Sequence, residues 1–105
     1  MKKIVIIGLG KMGTNHLRVL KKIKNASVIG YLDKYKKKNH HDLIKFINIE
    51  DIVKQANSVI ISSPATSHFQ YCSFFLRNNI HCLLEKPMAS SIDQCKKIVK
   101  LQKKY

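Results

Sequence analysis

Apolar residues occur in five short runs, separated by segments in which apolar residues recur at helical spacing. The runs cover residues 4–7, 27–32, 43–47, 58–62 and 80–84. Apolar runs without polar alternation are typical of strands that are buried on both faces of a parallel sheet. Strands that alternate with helices predict an α/β fold, a doubly wound parallel sheet with right-handed crossovers.

Four helices are predicted between and after these strands. The first covers about residues 12–24, and the others begin near Asn48, at Thr66 or Ser67, and at Ser91. Asn48 is expected to cap its helix, and the spacing of Ser91 and Gln94 resembles a capping box. Residues 34–42 form a basic connection that barely has room for a helix. The residues expected to face the core are Gly13, Leu17, Leu20, Ile23, Ile52, Val53, Ala56, Phe69, Cys72, Phe75, Leu76, Ile92, Cys95, Ile98 and Val99.

A glycine-rich turn, Gly8-x-Gly10-x-x-Gly13, joins the first strand to the first helix. Gly8 permits the tight turn, Gly10 allows backbone N–H groups to approach a pyrophosphate, and Gly13 allows close helix–strand packing. The helix N-terminus, which includes Lys11 and Met12, offers N–H donors and a positive dipole end to phosphates. The strand before the motif and the helix after it favour dinucleotide binding over an ordinary glycine turn.

Asp33 lies twenty residues beyond Gly13, at the end of the second strand. A carboxylate there can accept hydrogen bonds from the ribose hydroxyls of an adenosine and would repel a 2′-phosphate. The sequence therefore favours NAD over NADP, although Lys34 and Lys36 nearby weaken that preference. The alternative for Asp33 is a simple turn residue. Polar residues also follow the fourth strand (Ser62, Ser63) and the fifth (Glu85), at the edge where such sheets bind ligands.

The net charge of +14 comes from 20 Lys and Arg against 6 Asp and Glu. This balance would suit a nucleic-acid-binding protein. However, only Arg18 and Arg77 are arginines, and specific contacts to bases and phosphates favour arginine. The lysines are spread over almost every predicted helix and loop, so we expect solvated faces rather than a specific nucleic-acid site.

The remaining composition indicates a cytoplasmic protein of one domain. Cys72, Cys82 and Cys95 are odd in number and lack CxxC spacing, which favours reduced thiols over disulfides or zinc. The histidines have no acid or cysteine partners at ligand spacing, so no metal site is expected. The start of the chain imitates a signal peptide, but Lys11 ends its stretch of apolar and glycine residues after seven positions, and no apolar run approaches the length of a membrane span.

Four features occur in the order GLGKMG, an acid after the second strand, ISSPATSHFQY and HCLLEKPMA. A sequence with this order resembles the glucose-fructose oxidoreductase / inositol dehydrogenase (Gfo/Idh/MocA) family. The match covers essentially the whole chain and corresponds to the family's N-terminal Rossmann domain. Its most specific motif is Glu85-Lys86-Pro87, supported by the spacing of Pro64 and His68. The resemblance implies one dinucleotide-binding domain over residues 1–105, with strand order 3-2-1-4-5.

The resemblance also assigns roles to residues. It places the pyrophosphate at the glycine loop, the adenosine ribose at Asp33, and Lys86 beside the nicotinamide and the substrate hydroxyl. The reaction implied is hydride transfer between a sugar or cyclitol carbon and the nicotinamide. Pro87 is expected to follow a cis peptide bond, and His68 either contacts the ligand or covers the start of its helix.

Members of the family continue into a sixth strand and a second domain that supplies most of the substrate pocket. Neither is found in these 105 residues, which implies a truncated oxidoreductase that is weakly active or inactive alone. The alternatives are a stand-alone nucleotide-binding module and a basic nucleic-acid-associated protein. The fifth strand (residues 80–84) would then have an uncovered edge, so we expect self-association or aggregation through it.

Overall fold

The computed structural model describes residues 2–34 and 42–105 and has alternating strands and helices. Part of the connection predicted over residues 34–42 therefore lies outside the described residues. The elements in chain order are β1 (Lys2–Ile7), α1 (Lys11–Leu20), β2 (Ala26–Leu32), β3 (Ile44–Lys45), α2 (Ile49–Gln55), β4 (Ser58–Ile61), a 3₁₀ turn (Ala65–Ser67), α3 (His68–Arg77), β5 (His81–Leu84) and α4 (Ile92–Lys104).

The strands of the described residues form one parallel sheet in the order β3-β2-β1-β4-β5. This is the predicted order, and the α/β fold class is confirmed. The strand order reverses beside β1, because β2 follows β1 on one side and β4 lies on its other side. The carboxyl ends of β1 and β4 therefore diverge into the crevice in which sheets of this type bind ligands.

Both faces of the central strands β1 and β4 are buried, as their uninterrupted apolar runs predicted, whereas Ile44 on β3 and Leu83 on β5 are exposed. On one face Ile4, Ile6 and Ile60 pack with Leu17 of α1. On the other face a larger core joins the remaining strand residues to α2, α3 and α4. Its fully buried members include Val5, Ile7, Ile52, Val59, Ile61 and Phe75.

Two helix predictions need correction. Helix α1 ends at Leu20 rather than near residue 24, because Lys22 and Ile23 hydrogen-bond three residues back, to Val19 and Leu20. Ile23 consequently lies in a turn and is 47% exposed rather than buried.

Helix α4 has the predicted start, where Ser91 Oγ accepts a hydrogen bond from the backbone N–H of Gln94 at 3.2 Å. However, only Ile98 on this helix is buried, while Ile92 and Val99 are 75% and 37% exposed. The apolar stripe of α4 is therefore wider than the surface that the described core offers it.

Helix α2 follows its prediction closely. The Oδ1 atom of Asn48 accepts a hydrogen bond from the N–H of Asp51 at 3.1 Å, and Ile52 and Ala56 are buried. Strand β3 is shorter than predicted, although Phe46 just after it is buried and its N–H donates to the Tyr31 carbonyl.

Candidate functional site

Backbone hydrogen bonds join the ends of four neighbouring strands along the carboxyl edge of the sheet. The N–H of Gly8 donates to the carbonyl of Leu32 at 2.8 Å, which links the ends of β1 and β2. The N–H of Ser62 donates to Ile7 at 2.8 Å, and that of Glu85 donates to Ile61 at 3.0 Å. The motifs predicted at separate strand ends therefore do meet on one rim.

Two glycines of the loop lie where no larger residue fits. Gly8 has φ of +92°, and a Cβ on it would lie 2.7 Å from the backbone N and Cα of Ser63. A Cβ on Gly13 would lie 1.9 Å from the carbonyl oxygen of Gly8. Ser62 completes this contact, since its Oγ donates to the Gly8 carbonyl oxygen at 2.7 Å. Strand β1, helix α1 and the end of β4 are thus in direct backbone contact.

Gly10 differs from the other two glycines because it faces open space. It is exposed, it occupies the N-cap position of α1, and nothing lies within 4 Å of an added Cβ. The first N–H groups of a helix have no carbonyl partner within the helix, so those of Lys11, Met12 and Gly13 suit an anion. A pyrophosphate therefore fits this surface both sterically and electrostatically.

Asp33 lies directly after β2 and faces the glycine loop. Its Oδ2 accepts a hydrogen bond from the N–H of Leu9 at 2.7 Å. This bond fixes the carboxylate beside the loop, and carboxylate oxygens can accept several hydrogen bonds each. The position is compatible with a ribose whose phosphates lie at Gly10.

A cleft of about 130 Å³ adjoins Asp33 and runs across the end of β1 to the loop after β4. Its lining residues are Ile7, Leu32, Asp33, Lys34, Ser63, Pro64, Thr66, Ser67 and Tyr71. The Ser63 and Ser67 hydroxyls are 2.7 Å apart, and Ser67 Oγ donates to the Pro64 carbonyl at 2.6 Å. Ser67 is the N-cap residue of α3, but its hydroxyl is hydrogen-bonded within the loop and does not cap the helix.

His68 is a buried link between two loops. Its side chain is 1% exposed; Nδ1 lies 2.8 Å from the Pro87 carbonyl oxygen and Nε2 lies 2.7 Å from that of Ser63. The residue joins the loop after β4 to the loop after β5.

A second link connects the loop after β5 to the glycine-loop helix. The Nε2 atom of His16 on α1 contacts Oε1 of Glu85. Sequence analysis missed His16. Its spacing from Gly13 could have indicated it, because residues three apart share one side of a helix.

Lys86 follows Glu85 and is exposed, and the peptide bond between Lys86 and Pro87 is cis, as the resemblance implied. The residues on either side of Lys86 are therefore both held in place. Glu85 contacts His16, and Pro87 contacts His68. The lysine side chain projects from a constrained backbone at the carboxyl edge of the sheet.

Residues 2–34 and 42–105 contain neither a metal-binding cluster nor a membrane-spanning helix. No three side chains of the metal-binding types cluster there as a metal site would require. No helix in this part of the chain has the length and apolar character needed to span a bilayer.

Comparison with known proteins identifies the family and the fold of the chain. A sequence model of the Gfo/Idh/MocA oxidoreductase family, described as an NAD-binding Rossmann fold, matches residues 2–105. Glucose-6-phosphate 3-dehydrogenase of Bacillus subtilis is 33% identical over an alignment of 100 positions, which covers 90% of this chain and 28% of the relative. An inositol 2-dehydrogenase/D-chiro-inositol 3-dehydrogenase of Lactiplantibacillus plantarum is 28% identical over 119 residues, covering 97% of this chain and 32% of the relative.

Solved structures share the fold. A dehydrogenase from Clostridium difficile superposes with a TM-score of 0.88 at 24% identity, over 98% of this chain and 36% of that one. An NAD-binding protein from Listeria innocua gives 0.89 at 24% identity, over 98% and 32%. The chain thus spans about a third of the length of the relatives it matches. With the family match over residues 2–105, the chain belongs to the Gfo/Idh/MocA oxidoreductase family, as its NAD-binding Rossmann domain.

Proposed function

We propose that this chain binds a nicotinamide dinucleotide, NAD in preference to NADP, at the carboxyl edge of its sheet. The observation that carries the proposal is the contrast among the loop glycines. Gly8 and Gly13 have no space for a side chain, whereas Gly10 opens to solvent beside the N–H groups of α1. That combination suits a backbone that a pyrophosphate approaches closely.

The roles of the surrounding residues follow from their positions. The first turn of α1 binds the pyrophosphate, and Asp33 accepts the adenosine ribose hydroxyls. The negative charge of Asp33 disfavours a 2′-phosphate, while the positive charge of Lys34 reduces the difference between the affinities for NAD and NADP. Ser63 and Pro64, which line the cleft, and the neighbouring Ser62 lie beside the bound cofactor.

The proposed reaction is hydride transfer at a hydroxyl-bearing carbon of a sugar or cyclitol. The bound nicotinamide supplies the carbon that accepts or donates the hydride. Lys86 donates a hydrogen bond to the substrate oxygen and stabilises the negative charge that develops on it. Glu85, Pro87 and His68 act as positioning residues for this lysine, since they fix its backbone from both sides.

The proposed substrate class is inferred from the relatives of this chain. The glucose-6-phosphate and inositol dehydrogenases have about two-thirds of their length outside the matched part. We therefore propose that residues 1–105 form the cofactor domain, and that this polypeptide tested alone binds NADH with weak or no turnover. The three free thiols support a reducing compartment such as the cytoplasm.

The alternative of nucleic-acid binding has no specific observation in its favour. The lysines of the described residues are all exposed, and they lie on β1, α1, β3, α2, α4 and several loops rather than on one element. Such a distribution gives general attraction to anions without a defined groove.

Calorimetric titration with NADH tests the proposal. Gly10→Val should weaken binding by roughly tenfold or more, because the side chain would occupy the space of the pyrophosphate. Val19→Ala, on an exposed part of the same helix, should bind NADH like the parent chain. Equal NADH affinity of a folded Gly10→Val and the parent chain would refute the assignment.

A further inference from the structure

A side-chain contact joins helix α1 to the loop after β5. The Nε2 atom of His16 on α1 contacts Oε1 of Glu85. Helix α1 follows β1, whereas Glu85 follows β5, and β4 lies between these two strands in the sheet. The contact therefore spans the end of β4 and links two parts of the site whose strands do not pair in the described sheet.

This contact is less exposed to solvent than the other acid–base contacts of the described residues. The side chains of His16 and Glu85 are 24% and 22% exposed. The other contacts pair lysines with aspartates, and all of those side chains are 50–76% exposed. Exposed pairs contribute little to stability, because water screens their charges and both side chains lose conformational freedom. The contact of His16 with Glu85 is therefore better suited to hold two elements together.

Each end of the contact adjoins a different part of the site. His16 lies three residues after Gly13, so it belongs to the same short helix as the N–H groups of residues 11–13. Glu85 directly precedes Lys86, and its own N–H donates to the carbonyl of Ile61 at 3.0 Å. Opening of the backbone at Glu85 would displace Lys86. An anion that holds α1 in place would therefore also restrain the backbone of Lys86.

We propose that His16 is a positioning residue that couples occupation of the pyrophosphate site to the placement of Lys86. The inference rests on the proposed function, because it needs a dinucleotide at the N-terminus of α1. The bound pyrophosphate fixes α1, α1 holds Glu85 through His16, and Glu85 holds the backbone of the lysine. Coupling of this kind is reciprocal, so opening of the backbone at Glu85 weakens binding of the pyrophosphate.

The test uses ADP, which carries the adenosine and the two phosphates but lacks the nicotinamide that would contact Lys86 directly. Amide hydrogen exchange of the full 105-residue chain is measured by NMR, residue by residue, with and without saturating ADP. Shifted amide resonances at residues 11–13 report that ADP is bound. The readout of the coupling is the exchange rate of the Glu85 amide.

The His81 amide is the internal control for general stabilisation. It lies at the other end of β5 and donates to the carbonyl of Asn57 at 3.1 Å. A bound ligand slows every amide that exchanges through global unfolding, whereas a local restraint slows only the amides near it. The slowing of Glu85 relative to His81 therefore isolates the local effect.

We expect ADP to slow exchange at Glu85 about fivefold or more beyond its effect at His81, which is the lower end of typical coupling between sites. His16→Phe keeps a planar ring but removes the N–H, so the additional slowing should disappear. His16→Gln should restore it, because a glutamine N–H can donate to the carboxylate from a similar distance along the side chain. Val19→Ala, on an exposed part of α1, should respond like the parent chain.

Three outcomes would contradict the inference, and they are distinguishable. Equal slowing at Glu85 and His81 in the parent chain would overturn it, and that measurement needs no variant to fold. A Glu85 response that persists in a folded His16→Phe would show that the coupling does not pass through His16. Unshifted amides at residues 11–13 would instead refute dinucleotide binding at the glycine loop, and the inference would fall with the proposed function.

Discussion

Replacement of Gly13 by alanine should destabilise the fold, although alanine is the better helix former. The added Cβ would lie 1.9 Å from the Gly8 carbonyl oxygen and 2.8 Å from Ser62 Oγ. Contact distances of roughly 3.5 Å are normal, so α1 would have to move away from β1 by more than about 1 Å. The Gly8 carbonyl belongs to the backbone and accepts the Ser62 hydroxyl, so it has little freedom to withdraw.

The expected magnitude is the difference between two effects. Overpacking in a close contact typically costs about 1–3 kcal/mol, and a rigid backbone neighbour places this site at the upper end. Alanine in place of glycine within a helix raises the free energy of unfolding by about 1 kcal/mol. We therefore expect a net loss of about 2 kcal/mol. Because a small domain loses about 1–3 kcal/mol of stability per molar urea, the unfolding midpoint should fall by about 1 M.

Urea unfolding followed by circular dichroism measures this change, and Gly10→Ala is the matched control. Gly10 belongs to the same loop, but its added Cβ meets no atom within 4 Å. Its substitution alters only the N-cap preference, with an expected cost below about 1 kcal/mol. A Gly13→Ala midpoint equal to or above that of the parent chain would show that α1 does not depend on this close approach.

Further changes test the cofactor preference, the helix cap, the buried histidine and the sheet edge. Asp33→Ser should narrow or reverse the preference for NADH over NADPH in calorimetric titrations, and a parent chain that already prefers NADPH would contradict the role of Asp33. Asn48→Ala should lower the free energy of unfolding by about 1 kcal/mol through loss of the cap of α2, and an unchanged urea midpoint would argue against that bond. His68→Phe should lower the free energy of unfolding by about 1–3 kcal/mol because a buried carbonyl group, of Ser63 or of Pro87, loses the imidazole N–H that donates to it, and an unchanged urea midpoint would contradict the proposed link. Light scattering should detect association through residues 80–84, increasing with salt as the +14 charge is screened, and a monomer at every salt concentration would refute it.

Local sequence signals were sufficient for the strands and the glycine loop, while the strand order was expected from the family resemblance. The apolar runs identified every strand of the described sheet, and turn chemistry identified the Asn48 cap and the start of α4. Helical periodicity was less reliable for burial. It shows which residues share a face, but not how much of that face a neighbour covers, so the exposure of Ile92 and Val99 was not predicted.

The links within the site depend on distant parts of the chain. His16 and Glu85 are separated by 69 positions, and no local pattern pairs them. His68 was recognised by its spacing from Pro64, but its contacts with Ser63 and Pro87 depend on how two loops meet at the sheet edge. The cis bond before Pro87 was expected from family resemblance alone, since the residue pattern does not determine the isomer.

The contact among Gly8, Gly13 and Ser62 has a consequence for recombining this domain with its relatives. Gly8 follows β1, Gly13 lies on α1 and Ser62 follows β4, so a crossover point placed between residues 13 and 62 divides them between two parents. A parent with a larger residue in place of Ser62 would bring that side chain against the Gly8 carbonyl. Chimeras should therefore inherit all three positions from one parent, while the exposed Gly10 can be exchanged independently without disturbing the fold.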